Sequence, residues 1–229
     1  MAPVLRLVGV IAYFWMAHRA IATESELFAA IALAVLVFIV YVGRLLHGQI
    51  RAVIVSALLL AGISVLAWTH TALTALLLVP TVFLMMAAWF FARTLIKGRT
   101  PLLVAAASLI EKVAPETLDA EVRQYTTRQT LAWAVLLYVL AAVNLVLALF
   151  AVPDGILSRM GFVVSGWIQS EAAARYMPWV IYGAVTGLLV GEFIYRQHRF
   201  PGRYKNALDY VRKLAKVPAA AWQTAFAQP

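Results

Sequence analysis

Residues 52–92, AVIVSALLLAGISVLAWTHTALTALLLVPTVFLMMAAWFFA, contain no Asp, Glu, Lys or Arg. A helix of about 20 apolar residues crosses the hydrocarbon core of a bilayer, which is about 30 Å thick. This stretch is twice that length, so it predicts two membrane-spanning helices. Trp68-Thr69-His70-Thr71 is the only plausible turn between them. Pro80 falls inside the second helix, where it can cause a kink because it lacks a backbone N–H.

The composition of the whole chain agrees with a membrane protein. Of the 229 residues, 64% are hydrophobic and 13% are charged, whereas soluble domains are about half apolar and a quarter charged. The absence of cysteine excludes disulfides, thiolate metal sites and thiol nucleophiles. The net charge of +9 could suggest nucleic acid, but basic residues in membrane proteins more often reflect topology. We therefore expect no nucleic-acid partner.

The apolar runs predict an all-α polytopic membrane protein with about six transmembrane helices and two or three amphipathic interfacial helices. The first run is interpreted as a retained span and not a signal peptide, because no clean small-x-small cleavage site follows it. We expect a transmembrane bundle over residues 1–200 and a basic amphipathic cytoplasmic tail over 201–229. The spans are predicted near 4–22, 27–46, 52–68, 72–95, 129–151 and 177–196.

The distribution of basic residues predicts the topology. Of the 19 Lys and Arg residues, 16 fall on one side of the six predicted spans. The other side carries Arg19, Arg159 and Arg175. Because basic residues accumulate in cytoplasmic loops, both termini are predicted to be cytoplasmic.

Three segments outside the spans have apolar residues at helical spacing, namely 102–113, 156–168 and 208–216. Each could lie in the membrane interface, or it could dock on the bundle or on a partner protein. The second segment is the predicted partner or interface helix, with an apolar face made by Ile156, Leu157, Met160, Val164, Trp167 and Ile168.

Glu192 is the candidate functional carboxylate, because an ionisable group near the membrane is costly. It precedes Arg196 by four residues, a spacing that favours an ion pair on one helix face. We predict an interhelical clamp or a polar cluster at the cytoplasmic mouth, and a titrating or substrate-binding carboxylate is the alternative. The predicted members are Glu192, Arg196, Arg128, Arg123 and Tyr125.

Other motifs point to packing more than to chemistry. Gly183, Gly187 and Gly191 form a small-residue pattern typical of close helix packing. The four histidines all lie near helix ends, so a haem-binding pair is possible but not favoured. No zinc or di-iron motif, phosphate loop or nucleophile motif is present. We therefore predict no metal, cofactor or catalytic residue, and enzymatic activity is left open but not favoured.

Residues 121–151, EVRQYTTRQTLAWAVLLYVLAAVNLVLALFA, and 179–199, WVIYGAVTGLLVGEFIYRQHR, resemble a known family. Its members are predicted bacterial inner-membrane proteins encoded in gene clusters for aryl polyene (xanthomonadin-like) pigments. The likeness covers about 93–200 and includes the stretch 98–113. The matching positions are Tyr125, Thr126, Arg128, Thr130, Trp133, Ala148–Ala151, Gly191, Glu192, Phe193 and Arg196.

The chain also departs from this family. The family has a polar Asn near the position of Leu140, whereas here Asn144 lies one turn later. The loop 152–175 is longer than in the family. Members are sometimes labelled ketosynthase, but this chain has no cysteine to act as the nucleophile. The resemblance therefore implies an inner-membrane location and a pigment pathway, but no catalytic residue.

The leading hypothesis is a non-catalytic inner-membrane anchor or accessory protein in an envelope lipid or aryl polyene pathway. A small transporter or flippase for a lipid-linked intermediate is one alternative, and it would need a polar cavity at Glu192, Arg128 and Tyr125. An accessory subunit of a larger membrane complex is another. The expected partners are membrane lipids, a protein in the membrane and an acyl-carrier protein at the cytoplasmic face.

Overall fold

The computed structural model describes residues 2–166 and 168–199, together with Arg212, Val217, Pro218 and Ala221. The described chain is all-helical. A short 3₁₀ turn, Arg93–Leu95, follows the fourth helix. The α-helices are α1 Ala2–Ala22, α2 Glu26–Leu46, α3 Ile50–Trp68, α4 Ala72–Ala92, α5 Leu102–Glu111, α6 Ala120–Phe150, α7 Ile156–Arg159 and α8 Ser170–Arg199.

Five helices of the described chain are long and apolar enough to cross a membrane. They occupy Val4–Ala22, Glu26–Leu46, Ile50–Trp68, Ala72–Leu95 and Ala120–Phe150. By helix length and hydropathy the chain is a multi-pass membrane protein, and the predicted fold class is confirmed. The sixth predicted span, 177–196, lies inside α8, which is 30 residues long; that α8 crosses the membrane stays a prediction.

The turn between α3 and α4 lies where the sequence predicts it. Thr69 and Thr71 donate their hydroxyls to carbonyl groups at the end of α3, at distances of 2.9 and 3.3 Å. The backbone N–H groups of the same two threonines donate to these carbonyls as well, so the turn itself satisfies carbonyls that would otherwise lack partners at the helix end. His70 has a φ of 55°, the left-handed conformation that often ends a helix.

The chain divides into two compact units. The first unit comprises residues 1–79 and 148–164, and the second unit comprises 80–147 and 165–229. The first unit has a core of small and aliphatic side chains from α1, α2 and the start of α4. Its buried members are Ala20, Ala29, Ala30, Ala32, Leu33, Ala72, Leu73, Leu76 and Val79.

Alanine at these positions lets helix backbones approach closely, which is how membrane helices gain packing energy without a hydrophobic driving force between them. One polar contact accompanies this packing. The Glu26 carboxylate, at the start of α2, accepts the backbone N–H of Leu73 at 3.0 Å. That N–H is one of the four at the start of α4 that lack partners within the helix.

Helix α5, in the second unit, is held by side chains from outside itself. The hydroxyl of Thr94 accepts the N–H of Leu102 at 3.0 Å, and that of Thr130 accepts the N–H of Leu103 at 3.2 Å. All five residues 104–108 are buried, so the protein surrounds this part of α5 on every side. Of the alternatives for this segment, docking on the protein is therefore the one that the structure favours.

The predicted helix over 156–168 is wrong beyond Arg159. Helix α7 covers only Ile156–Arg159, and Gly161 has a φ of 85°, which a continuing right-handed helix cannot accommodate. Leu157 is partly exposed, and Met160, Phe162 and Val163 are exposed. Residues 162–165 have no regular structure.

Two sequence predictions fall largely outside the described residues. The predicted cytoplasmic tail, 201–229, includes the predicted amphipathic helix 208–216, of which the structure describes Arg212. Trp167, from the predicted interface helix, also lies outside them.

Candidate functional site

The first third of α6 presents a polar face, because polar side chains recur there every three or four residues. Asp119 directly precedes the helix, and its carboxylate accepts the N–H of Glu121 at 3.0 Å, as an N-cap does. The residues of α6 that line a cleft follow the helical pattern i, i+3, i+4, i+7, i+8, i+11 and therefore share one face. They are Glu121, Gln124, Tyr125, Arg128, Gln129 and Ala132.

The last third of α8 supplies the opposite wall of the same cleft. Its lining residues also recur at three or four positions, and they are Leu188, Gly191, Glu192, Tyr195 and Arg199. The cleft has a volume of about 480 Å³, within the range of small-molecule sites. Both walls belong to the second unit.

Glu192 is the centre of a hydrogen-bonded group that joins the two helices. Its carboxylate pairs with Arg196 on its own helix and accepts the hydroxyl of Tyr125 at 3.0 Å from α6. The guanidinium of Arg196 also donates to Gln129 at 3.3 Å. The side chains of Arg196 and Glu192 are only 11% and 12% exposed, so the charges are mutually compensated in a place that water hardly reaches.

Aromatic stacking supports this group. The rings of Tyr125 and Tyr195 lie parallel to within 16°, with their centroids 5.5 Å apart, an offset geometry that is favourable for aromatic pairs. The stack and the Tyr125 hydroxyl together fix the position of the Glu192 carboxylate. This arrangement is that of an interhelical clamp.

A second ion pair lies at the end of the cleft formed by the start of α6 and the end of α8. Arg199, in the last turn of α8, pairs with Glu121, in the first turn of α6. These side chains are 57% and 47% exposed, so the pair is screened by solvent in a way that the Glu192–Arg196 pair is not.

The cleft changes character along its length. Ala132 lies 11 residues beyond Glu121 on α6, and Leu188 lies 11 residues before Arg199 on α8, which is about 16 Å along each helix. The end at Glu121 and Arg199 is therefore charged, and the end at Ala132 and Leu188 is apolar. A cleft of this kind matches a molecule with a polar head and an apolar tail.

The structure brings together most of the predicted polar cluster. Tyr125, Glu192 and Arg196 are in contact, and Arg128 lines the same cleft with its side chain exposed. Arg123 is also exposed on α6, but it does not line the cleft. The functional role of the cluster stays a prediction.

The predicted glycine packing is not made within the described part of the chain. No neighbouring atom there lies within 4 Å of the Cβ that a larger residue would place at Gly183, Gly187 or Gly191. Packing of this face against another chain stays a prediction. Instead, Gly191 widens the cleft by contributing no side chain to its wall.

Sequence reasoning missed several residues of the site, among them Glu121, Gln129, Tyr195 and Arg199. A helical projection of α6 would have placed Glu121 and Gln129 on the face of Tyr125, since they lie four residues to either side. The pairing of Glu121 with Arg199 spans 78 positions, and no local pattern predicts it. Among the described residues, no three His, Asp or Glu side chains come together as a metal site would require.

No family model matches the chain, and no curated protein or solved structure matches it. The resemblance to membrane proteins of aryl polyene gene clusters therefore stays a prediction.

Proposed function

We propose that this membrane protein holds a hydrophobic product of an envelope lipid or aryl polyene pathway and hands it on, without catalysing a reaction itself. The observation that carries the proposal is the amphipathic cleft between α6 and α8. Its charged end suits the head group of an amphiphile, and its apolar end suits the beginning of the tail. We place the protein in the bacterial inner membrane with both termini in the cytoplasm.

The chemistry of the cleft supports binding more than bond breaking. Its two carboxylates are each engaged by an arginine of α8, and Tyr125 and Gln129 add hydrogen bonds to the inner pair. A general base or nucleophile needs to be aimed at a substrate atom within hydrogen-bond reach. Glu192 instead accepts from Tyr125 and Arg196 at once.

Deletion of the gene in its host tests this function. We expect the pigment lipid in the outer envelope to fall and its precursor to remain in the inner membrane, with recovery when the wild-type gene is restored. The measurement is chromatography of lipids extracted from separated membranes. An unchanged distribution of pigment lipid would refute the proposal.

A small transporter or flippase is the second candidate, and the same cleft favours it because transport also needs a polar cavity. The apolar residues at Ala132 and Leu188 favour holding over passage, because the polar lining ends there. Reconstitution into vesicles separates the two. A transporter moves a labelled lipid-linked intermediate across the bilayer, whereas a holding protein leaves the rate at that of empty vesicles.

An accessory role in a larger complex is supported by exposed apolar residues outside the long helices. Met160, Phe162 and Val163 follow α7 and are exposed. We propose this segment as a contact for a protein partner in the membrane. For an acyl-carrier protein, the buried centre of α5 leaves the exposed Lys97 and Arg99 and the basic tail as the docking surface. Co-purification in mild detergent tests both contacts.

A further inference from the structure

The charges that line the cleft sum to zero, and Arg196, which pairs with Glu192 from outside the lining, brings the sum to +1. Two carboxylates line it, Glu121 and Glu192, and each is paired with an arginine of α8. Arg128 also lines it, and no carboxylate among the described residues lies within 4 Å of its guanidinium. Among the described residues, Arg128 therefore gives the cleft one positive charge without a paired acid.

We infer that the cleft takes an amphiphile with an anionic head group, a phosphate or a carboxylate, and that Arg128 is the residue that pairs with it. This inference rests on the proposed function and names the class of molecule that is held. A guanidinium binds either group with two parallel N–H···O bonds, which makes arginine well suited to such head groups.

The position of Arg128 agrees with this assignment. It lies seven residues after Glu121 and four before Ala132, so it stands between the charged and apolar ends of the cleft. A head group at Arg128 leaves the apolar end for the first part of the tail. Gln124, one turn earlier on the same face, adds an uncharged hydrogen-bonding group to the lining.

Any arginine near a membrane surface attracts anionic lipids, and this attraction is not specific. Arg123 provides the matched control, because it lies on the same helix, is also exposed and does not line the cleft. Substituting either residue by glutamine changes the net charge by the same amount. A difference between the two variants therefore reports the cleft.

The test uses the purified full-length chain in mild detergent and native mass spectrometry with added phosphatidylglycerol or phosphatidylethanolamine. We expect the wild type to retain phosphatidylglycerol preferentially, Arg128→Gln to lower its affinity about tenfold, and Arg123→Gln to change it less than twofold. Arg128→Lys keeps the charge and is expected to retain part of the affinity. It also keeps the test usable if the glutamine variant does not fold.

Competition with inorganic phosphate distinguishes a lipid head group from a free anion. We expect millimolar phosphate to displace little of the lipid, because phosphate lacks the tail. Equal weakening by Arg123→Gln and Arg128→Gln, equal retention of the two lipids, or complete displacement by phosphate would each overturn the inference. The gene-deletion result does not depend on these outcomes, so the proposed function can stand or fail separately.

Discussion

In the first unit, helices pack through alanines that bring backbones together, whereas in the second unit α6 and α8 are joined by long polar side chains. The buried alanines at positions 20, 29, 32 and 72 have no exposed surface. The contacts of Tyr125, Gln129, Glu192 and Arg196 bridge two helices and leave a cleft beside them. Membrane helices can associate in either way, and beside the polar contacts of α6 and α8 there is room for a ligand.

From this comparison, we expect the largest change in the free energy of unfolding from a substitution in the alanine core of the first unit. Ala32 has no exposed surface, so Ala32→Leu must push helices apart, and we expect it to lower the free energy of unfolding by about 3 kcal/mol. The control is Ala61→Leu, at an exposed position of α3. Unfolding in mixed micelles, followed by circular dichroism, measures both variants. Equal stabilities would show that the core is looser than its burial indicates.

The clamp should give the next largest effect. Glu192→Gln leaves the guanidinium of Arg196 in a poorly exposed place without its carboxylate, and we expect a loss of about 2 kcal/mol. Glu171→Gln, at an exposed position in the first turn of α8, is the control and should cost less than about 0.5 kcal/mol. Normal stability with lost pigment-lipid export would assign Glu192 a chemical role instead of a clamping one.

Helix α5 is also held by polar side chains, and we expect the loss of one of these hydrogen bonds to cost less than the loss of the clamp. Thr130→Val keeps the shape of a fully buried side chain but removes the acceptor for the N–H of Leu103, so we expect a loss of about 1 kcal/mol. Hydrogen exchange at that amide should become faster. Thr127→Val is the control, because the Thr127 hydroxyl bonds to the Arg123 carbonyl of its own helix. Equal exchange at Leu103 in the two variants would contradict the cap.

The long helices could be predicted from the sequence because membrane thickness fixes the length of an apolar run. The start of α6 could not be predicted in this way, because the helix extends into the polar residues that precede its apolar run. With 31 residues, α6 is about 46 Å long, which exceeds the hydrocarbon core by about 16 Å. The surplus is the segment that carries Glu121, Tyr125 and Arg128.

Apolar periodicity was misleading at residues 156–168. It indicates which side chains would share a face if the segment were a helix, but not whether the backbone adopts helical dihedral angles. Gly161 adopts a left-handed φ, and a pattern of apolar residues contains no information on that. The candidate site was predictable within α8, where Glu192 and Arg196 are neighbours. On α6, Tyr125 was predicted, and Glu121 and Gln129 share its helix face, but the pairing of these residues with α8 is set by tertiary packing.

The smallest effect should come from the exposed ion pair at the mouth of the cleft. Arg199 and Glu121 are about half exposed, and such pairs contribute a few tenths of a kcal/mol because solvent screens them. Arg199→Gln should therefore cost about 0.3 kcal/mol, and this cost should disappear in about 1 M salt, where the screening length is about 3 Å. The cost of Glu192→Gln should persist at that salt concentration, because its pair is shielded by protein. If both costs disappear together, the two pairs share one solvent-filled environment, and the clamp between α6 and α8 rests on its hydrogen bonds and stacked tyrosines and not on the buried charge pair.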